Sequence, residues 1–140
     1  MKVLVINGPN LNMLGKRPKE HYGSLTLDEI NDLMIKENDG YFKLEFFQSN
    51  YEGAIVTKIQ ESLDYHAIII NPAAYTHTSV AIHDALEMFD GIKIEVHLSD
   101  VDNREDFRKI NFIRDVCSKC IANEREFSYV NAIKYLKEII

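Results

Sequence analysis

The chain holds 140 residues, 46% of them hydrophobic, enough for one substantial core and too few for two ordinary domains, so residues 1–140 read as a single domain. Its 22 acidic against 16 basic residues leave a net charge of -6, which argues against a nucleic-acid partner, because such a surface needs a basic patch to displace counterions from phosphates; a small-molecule ligand fits better. No apolar run approaches the roughly 20 residues of a membrane span, and the N-terminus carries neither a basic leader nor a long apolar block, so the expected location is the cytoplasm.

Lys2-Val3-Leu4-Val5-Ile6 reads as a buried strand. The stretch from Asn7 to Gly23 then delays the next helix well beyond the roughly 2–6 residues usual for such a connection, which marks it as a binding loop or lid. It places amides and asparagines directly after the strand, and brings Arg17 and Tyr22 together between glycines able to act as hinges. Thr26-Leu27-Asp28-Glu29 has the spacing of a capping box, Leu27, Ile30 and Met34 supply one apolar helix face, and Asp39-Gly40 ends that helix. Tyr41 to Gln48 is a second strand, and Ile55, Ile59 and Leu63 recur every four residues as the stripe of a second helix. Ala67 to Ile70 is a third, fully buried strand stopped by Asn71-Pro72, followed by a helix from Ser79 to Phe89 and a fourth strand from Ile92 to Leu98. Arg104 to Lys109 reads as a helical turn or two, Val116 to Ala122 as a short fifth strand, and Tyr129, Ile133, Leu136 and Ile140 as the stripe of a closing helix.

Alternating strands and helices imply right-handed crossovers and a parallel sheet covered on both faces, an α/β doubly wound fold of flavodoxin-like size. Polar residues follow three of the strands: Asn7 and Asn10 after the first, Asn71 and His77 after the third, Ser99, Arg104 and Arg108 after the fourth. In this architecture carboxyl ends converge on one crevice, so residues distant in sequence can share a site.

In the fourth strand Glu95-Val96-His97 puts Glu95 and His97 on the same face. Taken alone, His97 reads first as a structural histidine. The glutamate two residues earlier and the polar loop from Asn71 to Ser79 turn the reading toward acid catalysis, because a buried carboxylate orients an imidazole and balances its positive charge. His77 serves a helix-capping turn equally well, with Thr78 or Ser79 as the cap. Arg17 and Tyr22 together suggest a base: a cation at about 4 Å offers about 4 kcal/mol at an effective dielectric of 20, close to what it takes to bring a phenol toward ionisation near neutrality. Cys117 and Cys120 form a Cys-x-x-Cys, the spacing of a redox pair or half of a zinc site, but no further cysteine completes a zinc cage and free cysteine is more often a small buried hydrophobe; no His-Glu-x-x-His metal motif is present.

Five separated blocks now add up: Gly8 to Gly15; Arg17 with Tyr22-Gly23; Asn71 through Ser79; Ile94-Glu95-Val96-His97-Leu98-Ser99; and Arg104 to Arg108. In order and over essentially the whole length, they resemble type II 3-dehydroquinate dehydratase. The resemblance implies a flavodoxin-like fold, no cofactor, no metal, and conversion of 3-dehydroquinate to 3-dehydroshikimate in the shikimate pathway. It assigns Tyr22 as the proton acceptor that forms an enolate, Arg17 as the group that activates it, and His97, oriented by Glu95, as donor to the departing hydroxyl. Asn10 matches the asparagine that helps hold the enolate oxygen through water. Asn71, His77, Leu98, Ser99 and Arg108 match the substrate contacts, and Asp84 matches an acid reaching a neighbouring subunit's site in a homo-oligomer, a trimer associating into dodecamers.

The chain departs from the family pattern in three places. Pro18 directly follows Arg17, Asp100 stands where asparagine normally follows the serine, and Lys119 to Tyr129 lacks the family's usual glycines, so any positive φ there is expected to be strained. Two rival readings are a flavodoxin-like binding module, which lacks the Gly-x-Gly-x-x-Gly or P-loop signal in its first loop, and a degenerate homologue without turnover.

Overall fold

The computed structural model describes all residues, Met1 to Ile140. β1 (Lys2–Asn7), β2 (Lys43–Gln48), β3 (Ala67–Asn71), β4 (Ile92–Val96) and β5 (Lys119–Ile121) form one sheet in the order β2-β1-β3-β4-β5, every neighbouring pair parallel. The period of two along each strand builds two cores. Val3, Val5, Ile69, Ile94 and Val96 face α2 (Leu27–Asn38) and α5 (Glu126–Ile139); Leu4, Ile6, Ile68 and Ile70 face α3 (Glu52–Glu61) and α4 (Val80–Glu87). This is the expected doubly wound, flavodoxin-like fold, and its strand order reverses between β1 and β3, which opens a crevice at their carboxyl ends. No helix is long and apolar enough to cross a membrane.

The local signals act as the sequence indicates. Thr26 Oγ1 accepts the Glu29 amide at 3.2 Å while Glu29 Oε1 accepts the Thr26 amide at 3.0 Å, the reciprocal capping box that starts α2. Ser79, rather than Thr78, caps α4, with its Oγ accepting from the Ile82 amide at 2.9 Å.

Several boundaries differ, each for a local reason. α3 stops at Glu61, where the Ser62 hydroxyl donates to the Lys58 carbonyl at 2.8 Å, so Leu63 leaves the stripe and is exposed. β2 begins only at Lys43, because the Asn38 side chain brackets Phe42 with hydrogen bonds to both its amide and carbonyl. β4 ends at Val96, although His97 still donates its amide to Ile121. Ile140 is exposed beyond the buried stripe Tyr129, Ile133 and Leu136.

The stretch expected as a binding loop or lid is partly folded. It contains a 3-10 turn, Leu11–Met13, and a one-turn helix α1 (Lys19–Tyr22), because Leu11, Leu14 and the Tyr22 ring are drawn into the core. Gly23 closes α1 at φ 75°, where its amide reaches the Lys19 carbonyl. Gly8 is required for a different reason. A Cβ there would lie 2.3 Å from the Pro72 carbonyl oxygen, so only glycine lets the β1 and β3 loops meet.

The glycine-poor segment does contain positive φ. Asn123 lies at φ 63°, and Arg125, the residue before α5, at φ 52° and ψ -133°. Asparagine tolerates the left-handed region, whereas the Arg125 conformation is close to glycine-only territory and costs about 1–3 kcal/mol. Arg125→Gly should therefore stabilise the fold by about 1 kcal/mol after subtracting glycine's extra freedom in the unfolded chain, read as a higher urea midpoint with an unchanged slope.

Candidate active site

The carboxyl ends of β1, β3 and β4 border a cleft of about 540 Å³. Asn10 comes from the loop after β1, Arg17 and Tyr22 from the folded lid, Asn71 from the end of β3, His77 from the following turn, and His97, Leu98, Ser99 and Arg108 from beyond β4. Of the residues expected to share the site, Asn7, Glu95 and Asp84 do not line it.

Tyr22 is held at its hydroxyl by two cations. Arg17 Nη2 and Arg104 Nη1 each donate to Tyr22 Oη at 2.8 Å. The Arg17 guanidinium also stacks on the Tyr22 ring, 3.7 Å from its centroid, so the ring face as well as the hydroxyl meets positive charge. Arg104 is the functional group that the sequence left without a role. It is 82 residues from Tyr22, and its spacing of one helical turn from Arg108 says only that the two arginines are neighbours.

Glu95 is wholly buried behind His97, and its Oε2 meets His97 Nε2 at 2.5 Å. Burial by itself would push the Glu95 carboxyl up; His97, Asn111 and Arg114 together overcome it and bring the group down to about 2. With Nε2 engaged, His97 keeps Nδ1 as the ring nitrogen without a protein partner. His77 has the opposite arrangement. Its Nδ1–H donates to the Ile110 carbonyl at 2.7 Å, and burial, reinforced by Arg108 and His97, lowers its pKa. His77 is therefore a neutral imidazole whose Nε2 is an acceptor.

Asn71 is fixed from behind. Its amide donates to Tyr129 Oη at 2.9 Å, its Oδ1 accepts from the Ala73 amide at 3.0 Å, and Tyr129 in turn donates to Asn7 Oδ1 at 2.5 Å. All three side chains are almost wholly buried, so the bridge ties β1, β3 and α5 together under the cleft.

Arg17, Arg104 and Arg108 make the cleft locally cationic in a chain of net charge -6. Burial lowers the Arg17 pKa and the other two arginines act in the same direction, which is the electrostatic signature of a site awaiting an anion. Asn10 stands at the exposed mouth, its backbone amide anchored by Asn50 Oδ1 at 3.0 Å. Ser99 Oγ accepts from Arg104 at 3.4 Å. Asp84 lies on α4 outside the cleft, its carboxylate 64% exposed and 3.0 Å from His83 Nδ1. Cys117 and Cys120 are free, and burial pushes their thiols up to about 12 and about 11, far from the range of a reactive thiolate.

The chain as a whole is similar to known proteins. The family model for dehydroquinase class II matches residues 1–137. A 3-dehydroquinate dehydratase from Sulfurimonas denitrificans is 49% identical over 99% of this chain and 91% of its own length, and one from Helicobacter acinonychis is 46% identical over 100% and 86%. The crystal structure of a type II dehydroquinase from Butyrivibrio crossotus superposes with a TM-score of 0.94 at 44% identity, covering 98% of this chain and 97% of that one. By sequence across nearly its whole length and by fold, the chain belongs to the class II dehydroquinase family.

Proposed function

We propose that this chain, as a single catalytic domain, is a 3-dehydroquinate dehydratase. It removes water reversibly from 3-dehydroquinate to give 3-dehydroshikimate, a step of the shikimate route to chorismate and the aromatic amino acids. The observation that carries the reading is a tyrosine hydroxyl clasped by two guanidinium groups in the same cleft as a histidine oriented by a buried glutamate. The rival binding module and degenerate homologue are not favoured, because the acid, the base and the cationic surroundings of an elimination are all present.

In this mechanism the Tyr22 phenolate, stabilised by Arg17 and Arg104, takes a proton from the carbon beside the ketone. The electron pair moves into the carbonyl to form an enolate, with Asn10 placed to help hold its oxygen through water. The enolate then collapses, the carbon–oxygen bond breaks anti to the lost proton, and His97 gives its proton to the departing hydroxyl so that water leaves. Glu95 holds the imidazole through Nε2, which leaves Nδ1 to make this transfer. Arg108, neutral His77, Asn71 and the backbone of Leu98 and Ser99 hold the substrate's carboxylate and hydroxyls. The steps are two proton transfers and one carbon–oxygen cleavage, all served by side chains, so neither cofactor nor metal is assigned a part.

The reading extends to assembly and location. Asp84 is exposed and does not line its own cleft, so a contribution to binding would be made in a neighbour's, in a homo-oligomer of at least a trimer and, with trimers associating, a dodecamer. Light scattering should give at least a trimer, and Asp84→Ala should raise KM with little loss of stability; an active monomer would contradict both. Free thiols at Cys117 and Cys120 suit the reducing cytoplasm.

The direct test is ultraviolet absorbance on adding purified protein to 3-dehydroquinate, since the product is a conjugated enone; no rise at any reasonable pH would end the lyase reading. His97→Ala should lose dehydration while solvent deuterium still exchanges into the substrate's α-position, because enolate formation precedes the step assigned to His97. Equal loss of both would assign it to positioning.

A further inference from the structure

Glu95 is a buried carboxylate that serves three donors, and only one of them reaches the cleft. Its Oε2 accepts from Asn111 Nδ2 at 2.7 Å as well as meeting His97 at 2.5 Å, while its Oε1 lies 3.3 Å from Arg114 Nε. Arg114 is anchored in turn by Asp102 Oδ2, 3.1 Å from its Nη1, and neither Arg114 nor Asn111 lines the cleft. The segment carrying them is built for this placement. Asn111 Oδ1 accepts the amides of Ile113 and Arg114 at 2.8 and 2.9 Å, fixing the turn Arg114–Val116, and one residue earlier the Ile110 carbonyl holds the other cleft histidine, His77.

Resting on the proposed role of His97 as proton donor, we propose that Arg114 is a positioning residue that balances the charge of Glu95 whenever His97 has given up its proton. Without such a partner, each turnover would strand a carboxylate with no balancing charge in the interior, a penalty that would hold the proton on the histidine. With Arg114 and Asn111 in place, the carboxylate stays ionised and hydrogen-bonded in both states of the imidazole. The remaining groups around the pair do not take this part. Lys93, on β4, spends its ammonium on the Leu86 and Phe89 carbonyls; Cys117 and Cys120 stay protonated; His77 is neutral; and Asp102 faces Arg114.

The sign of the effect is determined. Replacing Arg114 with a neutral residue removes a cation near the imidazole and unbalances Glu95, and both changes favour the protonated histidine. In Arg114→Gln the His97 titration should therefore move upward by about half a pH unit or more, the size being limited by the partial exposure of Arg114. It is read from the His97 Cε1–H resonance, identified by its loss in His97→Ala. Turnover should fall about fivefold with KM nearly unchanged, because Arg114 acts on the proton donor and not on the bound substrate. Arg114→Met repeats the test if the glutamine variant folds poorly, and Arg114→Lys, which keeps the charge, should recover at least half of the shift. A His97 titration unmoved in folded Arg114→Gln and Arg114→Met would overturn the proposal and leave the lyase reading intact. A shifted titration in a chain inactive toward 3-dehydroquinate would uphold the coupling and sink that reading instead.

Discussion

Tyr22→Phe is expected to lower turnover of 3-dehydroquinate by about 10³-fold, the middle of the range for loss of a positioned general base. The substitution removes one oxygen and keeps the ring, which is packed with Leu11 and Leu14 in the core, so the fold and the cleft's shape should persist. Arg17 keeps its stacking contact with the ring. Affinity for a non-reacting product-like ligand should therefore stay close to that of the wild type, separating loss of chemistry from loss of binding. Solvent deuterium exchange at the α-carbon should fall in parallel with dehydration, since both begin with the same proton. Exchange that survives in the phenylalanine variant would remove Tyr22 from the role of base.

The second large effect concerns Arg104, whose contact with Tyr22 matches that of Arg17 in distance. Two cations share one oxygen, so Arg17→Ala and Arg104→Ala should each cost about 10²-fold in kcat/KM, the scale of one lost charge-assisted hydrogen bond to the ionised base. The acidic limb of the kcat profile should move to higher pH in each, because a phenolate with one guanidinium fewer binds its proton more tightly. In the double variant the loss should exceed the product of the single losses, since each arginine partly covers for the other only while it is present. Arg104→Lys should recover only part of the rate, as a lysine keeps the charge but not the planar guanidinium that sets Nη1 between Tyr22 and Ser99. An unshifted limb in Arg104→Ala would reduce Arg104 to a substrate contact.

Much of this protein can be read directly from the amino-acid sequence, because the physics behind those features is local. A fully apolar run such as Ala67 to Ile70 has few alternatives to a buried strand, a capping box such as Thr26 to Glu29 satisfies its own amides, and strand–helix alternation restricts the topology to a parallel sheet. The positions of polar residues after β1, β3 and β4 likewise name the cleft before any distance is known, since in this architecture carboxyl ends share one edge. Glu95 and His97 are a local pair, two residues apart on one face, and their 2.5 Å contact follows from the period of a strand.

What only the tertiary structure decided is which distant side chains meet, and with which end. Nothing between residues 22 and 104 specifies that Arg104 shares the Tyr22 hydroxyl with Arg17, nor that Tyr129 bridges Asn7 and Asn71 beneath the cleft. The same holds for the lid, whose length marks a loop but not its short helix, because Leu11, Leu14 and Tyr22 fold onto a core assembled from other elements. It also holds for Arg125, where the chain must enter α5 at an angle set by packing, and accepts a strained φ of 52° that no local rule would assign to arginine. Hydrogen bonds within a few residues are written in propensities and spacing, whereas those across the sheet depend on register and loop paths that exist only once the whole chain has packed.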